Sequence, residues 1–465
     1  MTCSKPRFAF RKSPAARPAP KTYRPCLEML EVRLQPSNSG FAVDGITAHP
    51  LPVSSSLGLS AHSIFADGVE PMLSLSTATY ITGTMGTATA RGTALGGDGS
   101  TFQAGTVTQN GSQEAYVAKY TPNGTQVYLT TIQLLDSNSN PLNTLGTGVA
   151  VDGLGDAYLG GTVIDGAGAN HSYGVKLSPD GQTVVWVHSF QAGTTTQGIA
   201  VSDPNNDGTG IVAWTGTLTF TNPSQGPVGD HVILAEYAAD GTGNLAFYYT
   251  FTGNPTTQGD AIALNTNSVF STPGSLIYLA GNITLNGNEQ TLAFQLDATT
   301  GNGNWARTDG ADFASPASLT GVAVNADDSS VYSGTTSTST GTNGIVVGYP
   351  ANGGPVGQPP TFATTLSNAL SLNAITVDAA GNIYATGAAT DPSTGGVYVA
   401  KLDSSGNILS ELQFGGTGTV DAGYGVVVTS SGSLWVVGDT TLASLATDGS
   451  TLNGTQDGFL AAVSV

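Results

Sequence analysis

Apolar and polar residues alternate in short runs along most of this chain, and the runs are separated by clusters rich in Gly, Asp, Asn, Ser and Thr. Alternation with a period of two marks a strand with one buried face, and long runs at helical spacing are missing, so the pattern predicts an all-β protein with many turns. The clearest stretch is 374–416, which holds AITVDAAGNIYATG, a connection, VYVAKLDSSG and NILSELQFGG. Segments in the same frame stand at 92–105, 148–161, 198–216, 261–281, 321–334, 374–387 and 425–438. The two long members gain residues between their paired runs, where a hairpin loop absorbs them.

Each feature of the frame has a physical reading. Val-x-Val alternation gives a first strand. The Asp-x-x-Gly that follows gives a turn in which Asp152 or Asp378 caps its own backbone and Gly155 or Gly381 takes a positive φ. A second strand carries a central aromatic: Phe102, Tyr158, Tyr278, Tyr332, Tyr384 or Trp435, with Ala213 beside Trp214 in the third copy. A Gly is expected to end that strand. Third strands follow, such as AYVAKYTPNG (115–124), SYGVKLSPDG (172–181) and HVILAEYAADG (231–241), most closing on hairpin turn signals. Fourth strands follow in six copies, and the seventh copy reaches Val465 after its third strand. LSLSTATYITG, Leu73–Gly83, reads as a fourth strand with no first three. Pairing it with the last strand closes a seven-bladed β-propeller of four-stranded antiparallel blades through a blade shared between the two ends of the chain.

The run Ala-Ile-x-Val-Asp-x-x-Gly-Asn-Ile-Tyr-Ala-Thr-Gly, followed by Tyr-Val-Ala-Lys-Leu-Asp-x-x-Gly, resembles the SBBP-type β-propeller repeat of bacterial extracellular proteins. Residues 374–416 match best, 148–193 and 421–465 well, and 195–310 loosely. The resemblance implies a propeller on an exported protein and implies no reaction.

Charge divides the chain. Residues 1–33 hold 8 of the 13 basic residues, leaving five in the rest of the chain against 30 acids. Such a body repels nucleic acid and anionic membranes, and it suits solubility or cation binding. The basic, Pro- and Ala-rich start cannot bury apolar surface and is expected to be a disordered leader. Within it Arg24, Pro25, Leu27, Glu28, Leu30, Glu31, Arg33, Pro36 and Ser37 resemble the N-terminal signal of planctomycete surface and exported proteins, which implies an extracellular or cell-surface location. The domain reading is therefore a leader and signal over 1–37, a Pro-, Ser- and Gly-containing linker over 38–72 and the propeller over 73–465. No run of 18 or more apolar residues is present, so no transmembrane helix is expected.

Candidate chemistry is sparse. Cys3 and Cys26 both lie in the leader, so the body has no thiol nucleophile and no Cys-based metal site. A three-arginine cluster is excluded because the body has only Arg91 and Arg307. His171, His188 and His231 are isolated in sequence and read as surface or edge residues of third and fourth strands. Asp203, Asn205 and Asp207, before Gly208, place oxygen ligands at alternate positions as a calcium loop does, but Trp214 stands where the bidentate Glu belongs. An Asn- and Asp-rich hairpin turn explains the same letters; calcium is the one cofactor the sequence raises.

The sequence reading is a monomeric, non-enzymatic interaction module for a protein or glycan partner. Its expected binding surface is the loops joining second to third strands: 106–114, 162–171, 217–230, 282–289, 335–343, 388–396 and 439–456. The alternative is a carbohydrate-active hydrolase or lyase using Asp or Glu at the channel mouth, which requires carboxylates with raised pKa values there.

Overall fold

The computed structural model describes residues 62–64 and 73–465, apart from 82–85, 110, 206–209, 225, 244, 252–254, 266–267, 269–273, 309–316, 339–340, 355–358, 392–395, 417–420, 448–449 and 453–455. The basic leader lies outside the described residues, as does the linker except for 62–64.

Seven antiparallel sheets form the ring. Blades one to six are built from consecutive strands over 88–132, 143–192, 194–248, 256–307, 317–366 and 369–414. Blade seven takes three strands from the C-terminal end, Ala422–Val428, Leu434–Thr440 and Asp457–Ser464, and its outermost strand, Ser74–Tyr80, from the other end of the chain. The register runs from Ser74 opposite Ser464 to Tyr80 opposite Phe459, so the closure expected from the sequence is present. A crossing segment seals it: the Thr447 amide donates to the Ala78 carbonyl at 2.7 Å, and the Leu445 amide to the Tyr80 hydroxyl at 3.0 Å. No helix among the described residues is long and apolar enough to cross a membrane.

The stretch read as a linker contributes a strand. His62–Ile64 pairs antiparallel with Ile408–Phe414 as a fifth strand on the outer edge of blade six, opposite Glu411, Leu412 and Gln413. The backbone donors and acceptors of an outer strand are open to such addition, and added pairing also covers the edge.

The cores lie between blades, not inside them. Buried side chains of blades one and two form one cluster, those of blades three and four another, and those of blades six and seven a third. The hairpins between third and fourth strands lock this stacking. Gly181, Gly241, Gly301, Gly353 and Gly406 all have φ near +70 to +85°. Against them pack Tyr128, Trp186, Phe247, Trp305 and Phe362, each from the outer strand of the preceding blade. These glycines thus serve two purposes, a left-handed turn and a flat seat for the neighbour's aromatic ring. Trp435 of blade seven occupies the corresponding seat at Gly124 of blade one.

Three expectations change. The closing Gly of each frame does not end its strand: the second strand of blade one runs Thr101–Gln109 through Gly105, and that of blade two runs Ala157–Ile164 through Gly161. The expected second-to-third-strand loops are correspondingly short in most blades, since third strands begin at Ser112, Asn170, Asn288 and Gly341. His171 and His231 sit on third strands but are buried. Their rings bond backbone carbonyls of Phe190 at 2.9 Å and Pro227 at 2.8 Å, which makes them pegs under the hairpins instead of surface residues.

Candidate functional site

The closing glycines lead to the site. Beyond the frame, each first strand continues backwards for several residues, and in every blade it carries a β-bulge at one place. The extra residue is Arg91, between Ala90 and Gly92 in blade one, and Thr147, between Gly146 and Gly148 in blade two. It is Gln197 in blade three, Asp260 in blade four and Thr320 in blade five. Asn373 and Tyr424 complete the set in blades six and seven. The partner across the ladder at the bulge is always the closing Gly: 105, 161, 216, 281, 334, 387 or 438. A Cβ on any of these glycines would meet a first-strand carbonyl oxygen at 1.8 to 2.0 Å. The glycine is there because the bulge pushes backbone against backbone.

A bulge re-aims one side chain. All seven bulged residues line the central channel, a cavity of about 380 Å³. The residue after each bulge is Gly in five blades and Ala261 or Ala374 in the other two. A Cβ on Gly92 would stand 2.8 Å from the Gly148 Cα, so small residues let neighbouring inner strands converge around the axis.

The ring holds one cation and one carboxylate. The Arg91 guanidinium lies 4.0 Å above the Tyr424 ring, and its Nη1 is 2.8 Å from Oδ2 of the buried Asp439 in an ion pair that lacks hydrogen-bond alignment. Asp439 also accepts from the Ala90 amide at 2.8 Å and from Gln456 Nε2 at 3.0 Å. Burial pushes the Asp439 carboxyl up to about 6, against the opposing pull of Arg91. On blade four, burial pushes Asp260 up to about 7, with repulsion from Glu289 as the second cause. Three polar ring members are held by backbone: Thr147 Oγ1 donates to the Gly160 carbonyl at 3.1 Å, Asn373 Nδ2 to Gly423 at 2.9 Å, and Thr320 Oγ1 to Leu372. Their remaining acceptor capacity is available to a ligand in the channel.

Two other cations, Lys176 and Arg307, are engaged elsewhere. Lys176 bonds Asp156 at 2.8 Å and the Ala239 carbonyl of the next blade at 3.1 Å, and Arg307 donates to the Gly353 carbonyl at 2.7 Å beneath an outer strand. The turn aspartates serve folding as expected: Asp378 accepts the amides of Ala380 and Asn382, each at 2.9 Å, and Gly381 has φ +82°. Of the candidate calcium ligands, Asp203 is buried and Asn205 exposed, while Asp207 lies outside the described residues. Burial, and then the charge of Asp152, raise the Tyr158 hydroxyl of blade two, with Asp203 a lesser contributor. No group of three or more His, Cys, Asp or Glu side chains that could hold a metal occurs among the described residues.

The sequence reading missed the channel residues. Every frame begins at the small residue, one position after the side chain that differs. The visible signal was the closing Gly, which marks the partner of the bulge.

No family model and no curated protein matches the chain. Among solved structures, the RRP9 WD40 repeats match with 9% identity and a TM-score of 0.48 over 83% of this chain and 97% of that one. A Xanthomonas campestris gluconolactonase matches with 11% identity and a TM-score of 0.36 over 89% and 99%. A catalytically inactive virginiamycin B lyase from Staphylococcus aureus matches with 10% identity and a TM-score of 0.45 over 83% and 99%.

Proposed function

We propose that this protein is an exported or cell-surface propeller that acts as a binding module and recognises its ligand through the bulge ring of the central channel. The observation that carries this reading is the contrast between frame and ring. Turn Asp, core aromatic and closing Gly recur because folding needs them, whereas the seven positions aimed into the channel hold six residue types, all able to form hydrogen bonds. Pre-set polar groups in a concave site provide specificity. Export is supported by the resemblance of residues 24–37 to a surface-protein signal and by the acidic body. The test is a glycan and peptide array probed with the full chain, alongside surface fractionation of the native host. Binding to a defined class that falls about tenfold or more in Gln197→Ala and Asn373→Ala supports the reading. Binding unchanged by both variants, or a protein confined to the cell interior, overturns it.

One feature favours a hydrolase or lyase instead: burial pushes the Asp260 carboxyl up to about 7, the range in which a general acid or base works best. Against it, a paired-carboxylate mechanism needs a second carboxyl across the site, and Asp260 is the one carboxylate among the described residues that line the channel. Turnover of a glycan by the purified chain, abolished in Asp260→Asn, would establish the enzyme reading.

A further inference from the structure

We propose that the channel takes a short zwitterion with an ammonium group at one end and a carboxylate at the other, an ω-amino acid or a short peptide, its ammonium against Asp260 and its carboxylate against Arg91. The inference rests on the binding-module reading and names the ligand class for that same site.

The bulges aim one cation and one carboxylate into the channel, from blade one and blade four. On a ring of seven, blades three steps apart are as far from each other as the ring allows, so the two charges face each other across the axis instead of neutralising one another. An empty channel of this kind has a dipole across it, and a ligand of matching dipole completes both ends.

The two ends differ in state. Arg91 is held before any ligand arrives. The Tyr424 face supports the guanidinium from below, and Asp439 fixes its Nη1 side. A guanidinium has five N–H donors in a planar fork, so one anchored edge leaves donors for a second carboxylate. Asp260 is the opposite case. It is partly buried, the charge that acts on it is the like charge of Glu289, and no cation among the described residues offsets it. An ammonium is the partner that such a carboxylate lacks, and the excess of acids over the body steers cationic groups toward it. The lining between the charges mixes the polar Thr147, Gln197, Thr320 and Asn373 with apolar side chains such as Ile199 and Ile262. A cavity of about 380 Å³ lies at the small end of ligand sites, which suits a short chain and not a polymer.

Titration calorimetry on the full chain tests this with a series of ω-amino acids of increasing length, with diglycine and triglycine, and with the matching alkylammonium ions, alkyl carboxylates and neutral monosaccharides. The expected result is an optimum chain length, with the zwitterion bound more tightly than either half. Asp260→Asn should weaken zwitterion and ammonium binding about tenfold or more and leave the carboxylates unchanged, while Arg91→Lys, which keeps a cation for Asp439, should weaken zwitterions and carboxylates. Circular dichroism of both variants confirms that the fold is retained. No zwitterion binding up to about 10 mM, or binding indifferent to Asp260→Asn, overturns the inference. If monosaccharides bind and zwitterions do not, the binding-module reading stands and this one falls. If the zwitterion is bound and then consumed, the site stands and the binding-only reading falls.

Discussion

Glu236 breaks the pattern set by its counterparts. Opposite the central residue of the second strand, blades one, two and six carry Lys119, Lys176 and Lys401, paired across the ladder with Phe102, Tyr158 and Tyr384. Blade three pairs Glu236 with Ala213 instead. Glu236 is wholly buried at the interface with blade four, and neither carboxyl oxygen has a hydrogen-bond partner among the described residues. Burial, and secondarily the charge of Asp297, hold its carboxyl well above the usual carboxylate range. The sign follows from linkage. The folded state keeps the proton that the unfolded chain releases near pH 4.3, so this contribution to stability is full below that pH and is lost as pH rises toward the folded value. Replacing Glu236 with Met removes the titration and the unsatisfied oxygens together. Denaturant titrations should show the variant gaining on wild type as pH rises from 5 to 8, at up to about 1.4 kcal/mol per pH unit. A difference independent of pH would show that Glu236 is ionised or solvated in the fold. The sequence displayed this residue in HVILAEYAADG, but nothing in a strand pattern says whether a Glu finds a partner.

The inner strand with its bulge is the element that links fold to site, and its glycine partner is the part that can be tested alone. In blade six a Cβ on Gly387 would lie 1.9 Å from the Ser371 carbonyl oxygen, a backbone atom that no rotamer can move. Gly387→Ala should therefore cost about 1–3 kcal/mol, the range for overpacking a rigid site. Gly287→Ala is the control: the residue stands at a hairpin tip with φ +80°, and nothing lies within 4 Å of the added carbon. It should cost about 1–2 kcal/mol from left-handed backbone alone and leave channel binding intact. Loss of stability and of channel binding together in Gly387→Ala, by thermal melt and calorimetry, identifies the glycine as the support of the bulge; retained binding would separate the two. This element also shows where the sequence was legible. Turn aspartates, central aromatics and the four-strand count follow from alternation and turn chemistry, which act within a few residues. The bulge interrupts the alternation it would have to be read from, so Arg91, Asp260 and their counterparts look like the irregular residues before a frame. Only the partner Gly betrays them, and its reason lies on another strand.

At the scale of the molecule, stability and function share one requirement, closure. Seven blades present seven bulges to one axis only while the ring is shut, and the shutting contact joins residues near the two ends, as the pairing of Ser74 with Ser464 shows. Such a contact forms late, because its loop-closure entropy must be met before pairing offsets it. The closing strand compensates with burial: Leu73, Ala78, Tyr80 and Ile81 are all nearly inaccessible, and the Tyr80 amide donates to Ser450 Oγ at 2.9 Å. Complete burial of a large apolar side chain stabilises by about 1.5–3 kcal/mol, so losing this strand removes a large part of the few kcal/mol by which most domains are stable. Three truncations separate the contributions. Removal of residues 1–40 should leave the melting temperature unchanged. Removal of 1–72 deletes the strand at 62–64 and exposes the outer edge of blade six, with a shift of a few degrees at most. Removal of 1–85 takes away the seventh blade's outer strand and should give a chain that melts far lower and aggregates through the exposed edge of Asp457–Ser464. Size-exclusion chromatography and thermal melts distinguish these outcomes, and equal stability of the first and last truncations would mean that blades one and seven hold together through Trp435 and the inner strands alone. The same series reads function: an open ring separates Arg91 of blade one and Tyr424 of blade seven, the two residues that stack across the closing seam, so ligand binding at the channel should fail at the temperature where the seam opens and not where the blades melt.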